Sequence, residues 1–154
     1  MYMLTSLEQM GLIASSQVNR YFINKYSSEK ILRTVVHIIG ISSTALFFTT
    51  YFKIGGFIGL VVPLFIIISC LGFTMPNTTA IAMQPQGRNA GAASALMGTL
   101  QFVVASVASS LVGILHDGTS FPMTFTILLS TLMAFVTLKL YELSSNQKIG
   151  TEVA

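Results

Sequence analysis

The chain has 154 residues, of which 53% are hydrophobic and only 8% charged, with a net charge of +3. Soluble domains carry about 25% charged residues, so a fully wetted surface is excluded, and a mean hydropathy of +0.75 points to a bilayer. The charges are grouped between long neutral runs, a distribution that speaks against a nucleic-acid partner despite the basic balance.

The first element, residues 2–19, is mostly apolar but holds Glu8 and ends in Ser15, Ser16 and Gln17. It lacks the basic start and small-residue cleavage site of a signal peptide, and it reads as a membrane helix at the edge of the chain. Next comes NRYFINKYSSEKILR, with Asn19, Arg20, Lys25, Lys30 and Arg33 against the single acid Glu29. Cytoplasmic loops are rich in Lys and Arg, so this segment is expected to be an inside loop.

Four neutral runs follow: Thr34 to Phe52, Ile54 to Gly87, Asn89 to His116 and Gly118 to Leu138. Each reaches the roughly 18 apolar-dominated residues of a spanning helix. The predicted spans are 33–52, 55–83, 89–115 and 121–141, making an all-α membrane protein of about five helices. Lys53 alone marks the second connection, Arg88 the third, and HDGTSFP has Asp117 without Lys or Arg. Lys139 and Lys148 mark the tail. This alternation puts the N-terminus outside and the C-terminus in the cytoplasm of a multi-pass protein. Five spans starting outside read as the back part of something larger.

The third span contains Pro63 and Pro76. Proline removes a backbone donor and bends or breaks a helix, and in lipid the freed carbonyl needs a neighbour or cavity water. A kink is expected at Pro76, with Asn77, Thr78 and Thr79 supplying the polar groups locally. Thr74, Asn77 and Ile81 share a face by helical spacing. Asn77 must turn away from lipid, and two roles stay open for it, interhelical hydrogen bonding or lining a substrate path.

The fourth span carries Gly91, Ala95, Gly98, Phe102, Ala105, Ser109 and Gly113 along one stripe. Small residues at that spacing let helices approach closely in lipid, so the stripe is expected to pack. Gln101 and Ser94 share one side and face the same alternatives as Asn77. His37 reads as an interfacial residue and His116-Asp117-Gly118-Thr119 as a tight outer turn. Cys70 has no second thiol to pair with, no metal-ligand spacing occurs, and no phosphate loop, HExxH or nucleophile elbow is present. Neither an enzyme nor a cofactor is expected.

Residues 72–123, GFTMPNTTAIAMQPQGRNAGAASALMGTLQFVVASVASSLVGILHDGTSFPM, resemble the end of the Bcr/CflA (bicyclomycin-resistance-like) drug efflux transporters of the major facilitator superfamily. The pattern runs Pro76-Asn77-x-Thr79-Ala80, Gly87, Ala90-Gly91-x-Ala93-Ser94, Gln101, His116-Asp117-Gly118-Thr119 and Pro122-Met123. Residues 10–33 resemble the family's eighth helix and the loop behind it, although Ser27-Ser28-Glu29 departs from the usual Gly-plus-basic run. The resemblance implies helices eight to twelve of a twelve-helix antiporter of the inner membrane. Such an antiporter exports drugs, including antibiotics, or small metabolites against protons, with the third span lining the central cavity. It also implies a missing N-terminal half as partner, without which this chain is not expected to transport. The spans carry no buried carboxylate for proton coupling beyond Glu8 near the edge. The alternative is a small membrane protein that associates with a partner transporter.

Overall fold

The computed structural model describes the backbone of residues 2–23 and 25–152, and side chains from 10 to 144 except 12, 16 and 24. Five helices follow one another, with no strand among the described residues: α1 (Tyr2–Ile23), α2 (Ser28–Tyr51), α3 (Gly56–Met83), α4 (Ala90–Ile114) and α5 (Phe121–Glu152). A single 3₁₀ turn, Gly87–Asn89, joins α3 to α4. Among the described residues, α2, α3, α4 with its preceding turn, and α5 as far as Ser144 are long and apolar enough to cross a membrane. The expected span 2–19 lies within α1, but most of its side chains, Glu8 included, lie outside the described ones.

The helices outrun the apolar stretches that announce them. α2 starts at Ser28, after an extended Ser27, with Glu29 in its first turn, where a carboxylate complements the helix dipole. The basic segment is therefore only partly a loop. Asn19 and Arg20 belong to α1, Lys30 and Arg33 to α2, and Lys25 alone stands in the turn, while Arg88 lies in the 3₁₀ turn. Charge at headgroup depth does not stop a helix whose backbone bonds are internal.

α2 ends in a Schellman motif. Lys53, the residue past the cap, has φ +53, and the Ile54 N–H reaches back to the Thr49 carbonyl at 3.0 Å while the Lys53 N–H reaches Thr50. Gly55 (φ +77) and Gly56 (φ +51) then turn the chain into α3. Gly59 must be glycine, because a methyl there would sit 2.5 Å from the Ile54 carbonyl oxygen.

α3 stays a single hydrogen-bonded helix through both prolines. Pro63 frees the Gly59 carbonyl, and the Thr49 hydroxyl of α2 lies 2.9 Å from that oxygen, sharing its proton with the Leu46 carbonyl at 3.1 Å. The carbonyl that Pro76 frees belongs to Gly72. The polar side chains beside Pro76 bond other carbonyls: Asn77 that of Phe73, Thr78 those of Thr74 and Met75, and Thr79 that of Met75. Local repair thus falls at the other proline from the one expected, and it comes from a neighbouring helix.

α1 and α3 run parallel. Gly11 lies against Ser69 and Phe65, and eight residues further along each helix Asn19 meets Asn77. α2 runs antiparallel to both, packing Ile31 and Val35 on Cys70 with Ile39 and Phe73 around them. α5 is antiparallel to α2, joined at one end by Phe47–Phe121 and at the other by Arg33–Glu142. Arg20, Lys25, Lys30, Arg33, Arg88 and Lys139 therefore gather at one end of the bundle, and Lys53 and Asp117 at the other.

α4 buries no residue. A methyl added to Gly91, Gly98 or Gly113 would meet nothing within 4 Å, and Ala95, Phe102 and Ala105 are exposed. The stripe expected to pack is thus uncovered by this chain, apart from Ser109, which borders a crevice against α5. Close approach needs a second helix on that face, and none of the described helices lies there.

Candidate functional site

Between α2, α3 and α5, toward the basic end, lies a cleft of about 770 Å³ lined by Leu32, Val36, Thr74, Thr78, Ile81, Ala134, Leu138 and Tyr141, among others. Val36, Thr74 and Ala134 also border a second crevice of about 440 Å³, which reaches α4 at Ala108, Ser109 and Val112 and is faced by Thr126, Ser130 and Thr131 of α5. The two adjoin at Val36, Thr74 and Ala134, and the apolar channel wall they share is studded with hydroxyls. Most of those hydroxyls donate to their own helix: Thr74 to Cys70, Thr78 to Thr74, Thr126 to Pro122, Thr131 to Ile127 and Thr137 to Met133. Each oxygen keeps lone pairs to accept from a ligand, so the channel suits a largely apolar molecule with a few donors.

Of the four substrate-path candidates, only Thr74 lines this channel. Asn77 is fully buried between α1 and α3; its amide donates to Asn19 Oδ1 at 2.8 Å and to the Phe73 carbonyl at 2.7 Å. The geometry favours the interhelical alternative for Asn77. Its own Oδ1 and the Ser69 hydroxyl are buried without a partner among the described residues. Ser94 is exposed and bonds the Gly91 carbonyl at 2.9 Å, and Gln101 is exposed on α4. Neither meets Thr74. Pro76 is also exposed, on the open side of α3.

At the basic end the cleft meets a cluster that the sequence reading passed over. Arg33 Nε lies 2.8 Å from Glu142 Oε1, Lys139 lies 3.3 Å from Oε2 of the same carboxylate, and the Tyr141 hydroxyl donates to Glu29 at 3.0 Å. These residues tie the start of α2 to the end of α5, and only the antiparallel packing brings them together. His37 donates from Nδ1 to the Arg33 carbonyl, 2.7 Å away, with its ring edge-on to Phe135. At the opposite end Asp117 forms the expected turn: its Oδ1 accepts from the Thr119 hydroxyl at 2.6 Å and the Thr119 N–H at 2.9 Å. The Thr119 hydroxyl, then its N–H, hold the Asp117 carboxyl below its ordinary value of 3.8.

Long apolar helices, charge confined to their ends and an apolar channel between them define an all-α, multi-pass membrane protein. In sequence the chain is similar to the uncharacterized MFS-type transporter YdgK of Bacillus subtilis (strain 168), with 37% identity over 95 residues. That stretch is 62% of this chain and 23% of that protein, so the chain matches less than a quarter of its relative's length. The likeness supports the major facilitator superfamily. No family model matches the chain, and no solved structure matches it.

Proposed function

We propose that this chain forms part of a proton-coupled efflux antiporter of the major facilitator superfamily, of the Bcr/CflA type, with α1 to α5 standing as helices eight to twelve. The observation that carries the reading is the 37% identity to an MFS-type transporter. The alternating helix directions, with basic residues collected at one end, also support it. On the positive-inside rule that end faces the cytoplasm of the plasma membrane and the N-terminus lies outside. Transporters of this kind work by rocking one helix bundle against another around a midplane site. The bare small-residue face of α4 supports a partner bundle, the N-terminal half, as the surface it moves against. The transported molecule is a drug or small metabolite, and Thr74 and Thr78, rather than Asn77, are the α3 residues that meet it. A non-enzymatic role fits the same likeness.

Proteoliposomes under an imposed proton gradient test the proposal with a panel of amphipathic fluorescent dyes. Dye efflux is expected when the chain is reconstituted with the seven-helix portion of a related transporter, and none with the chain alone. Efflux by the chain alone overturns the need for a partner half. The bare α4 face equally supports a second reading, a small membrane protein that associates with a complete transporter. Co-purification with an intact twelve-helix protein, without restored transport, favours that reading.

A further inference from the structure

The mouth of the α2/α5 cleft carries charge that the packing leaves partly unused. Arg33 commits its Nε to Glu142, and its two terminal nitrogens have no partner among the described residues. Glu29 accepts one hydrogen bond through Oε1, from Tyr141, and its second oxygen likewise has no partner among the described residues. Glu29 and Arg33 stand one turn apart on α2, on the same face. Together with Glu142 they border a polar pocket of about 200 Å³. Leu32, Ile81, Leu138 and Tyr141 border both that pocket and the 770 Å³ cleft. A cation paired through Nε alone and a carboxylate holding a single hydrogen bond, one helical turn apart, thus sit over an apolar cleft.

We propose that this site holds a phospholipid with a primary-ammonium zwitterionic head, its phosphate on Arg33, its ammonium on Glu29 and one acyl chain in the cleft. The depth is right, because Glu29 and Arg33 lie in the first two turns of α2, and Tyr141 and Glu142 in the last turn of the spanning part of α5. That is headgroup level, where tyrosines anchor. The head is selected by charge. A purely anionic head meets the carboxylates of Glu29 and Glu142, whereas a zwitterion reaches both the terminal nitrogens of Arg33 and the second oxygen of Glu29 with charge-assisted hydrogen bonds. A choline head carries the same charges but has no N–H to give Glu29. The bilayer itself supplies this lipid.

Native mass spectrometry of the full chain in detergent, titrated with dioleoyl lipids bearing ethanolamine, choline or glycerol heads, tests the assignment independently of transport. Ethanolamine lipid is expected to be retained about tenfold better than the other two, one charge-assisted hydrogen bond's worth. Glu29→Gln keeps an acceptor for Tyr141 and should erase the preference over choline. Leu138→Trp fills the cleft without touching a charge and should remove the retained lipid of every head type, with helicity by circular dichroism unchanged. Equal retention of the three lipids by the unaltered chain overturns the proposal. So does a preference that survives Glu29→Gln, or full retention by Leu138→Trp.

Discussion

Asn19 and Asn77 show how much one polar contact decides in a chain of this composition. Both are almost wholly inaccessible, and an unpaired amide in an apolar interior costs about 1–3 kcal/mol. Asn77→Ala is therefore expected to destabilise the α1–α3 pair by that amount, because Asn19 loses its donor. In a double-mutant cycle with Asn19→Ala, read by denaturation in mixed micelles, a coupling of about 0.6 kcal/mol and at most about 1.7 is expected, the average and the maximum found between membrane helices. Zero coupling would mean that the two side chains do not interact. Asn77→Leu in an intact relative should leave substrate preference unchanged while lowering stability, and Thr74→Val should alter the preference. Asp117 belongs at this scale too. Its folded value lies below the unfolded one, so its contribution is present above the ordinary carboxylate range and is lost as pH falls through the lowered folded value. The group is fully exposed, so the readout is local. The Thr119 amide resonance should shift on acidification, and Asp117→Asn, which keeps the acceptor, should abolish that shift.

Among the elements, α3 depends on α2 in a way neither helix shows alone. The Thr49 hydroxyl stands in for the backbone donor that Pro63 lacks. Thr49→Val is expected to cost about 0.5–1.5 kcal/mol, an ordinary net hydrogen bond. The same change in a Pro63→Ala background should cost much less, since alanine restores an N–H to the Gly59 carbonyl. Equal costs in the two backgrounds would remove the proposed link. At the end of α2, Lys53 holds a left-handed conformation that costs a non-glycine residue roughly 1–2 kcal/mol. Lys53→Gly should raise the unfolding midpoint, offset in part by the entropy glycine adds to the unfolded chain.

For the whole molecule, the testable property is its two unlike ends. With Cys70 replaced by alanine, single cysteines at 25 and 53 should react with a membrane-impermeant maleimide from opposite sides. Labelling of both from one side would contradict a bundle whose α1, α3 and α5 run parallel. A spin label on a cysteine replacing Ala105 should be accessible to lipid-dissolved oxygen in the isolated chain and become protected when a partner bundle is present, because that position is exposed here.

By itself the sequence determined four long apolar helices, the two unlike ends and the Asp117 turn, since each rests on local composition. Apolar length sets a spanning helix, charge sets its ends, and Asp117, two positions before Thr119 and followed by Gly118, sets a tight turn. The all-α architecture follows from the same runs. Only the tertiary structure decided which polar residues meet. Asn19 and Asn77 lie in separate spans, and Glu29 and Tyr141 stand 112 positions apart. Helical spacing places residues on faces without saying which face finds which neighbour. For that reason the sequence could leave Asn77 between two roles and give no sign of the Glu29–Arg33–Glu142 mouth. A helix's covered face depends on the partner that reaches it, and on α4 the packing of this chain supplies none.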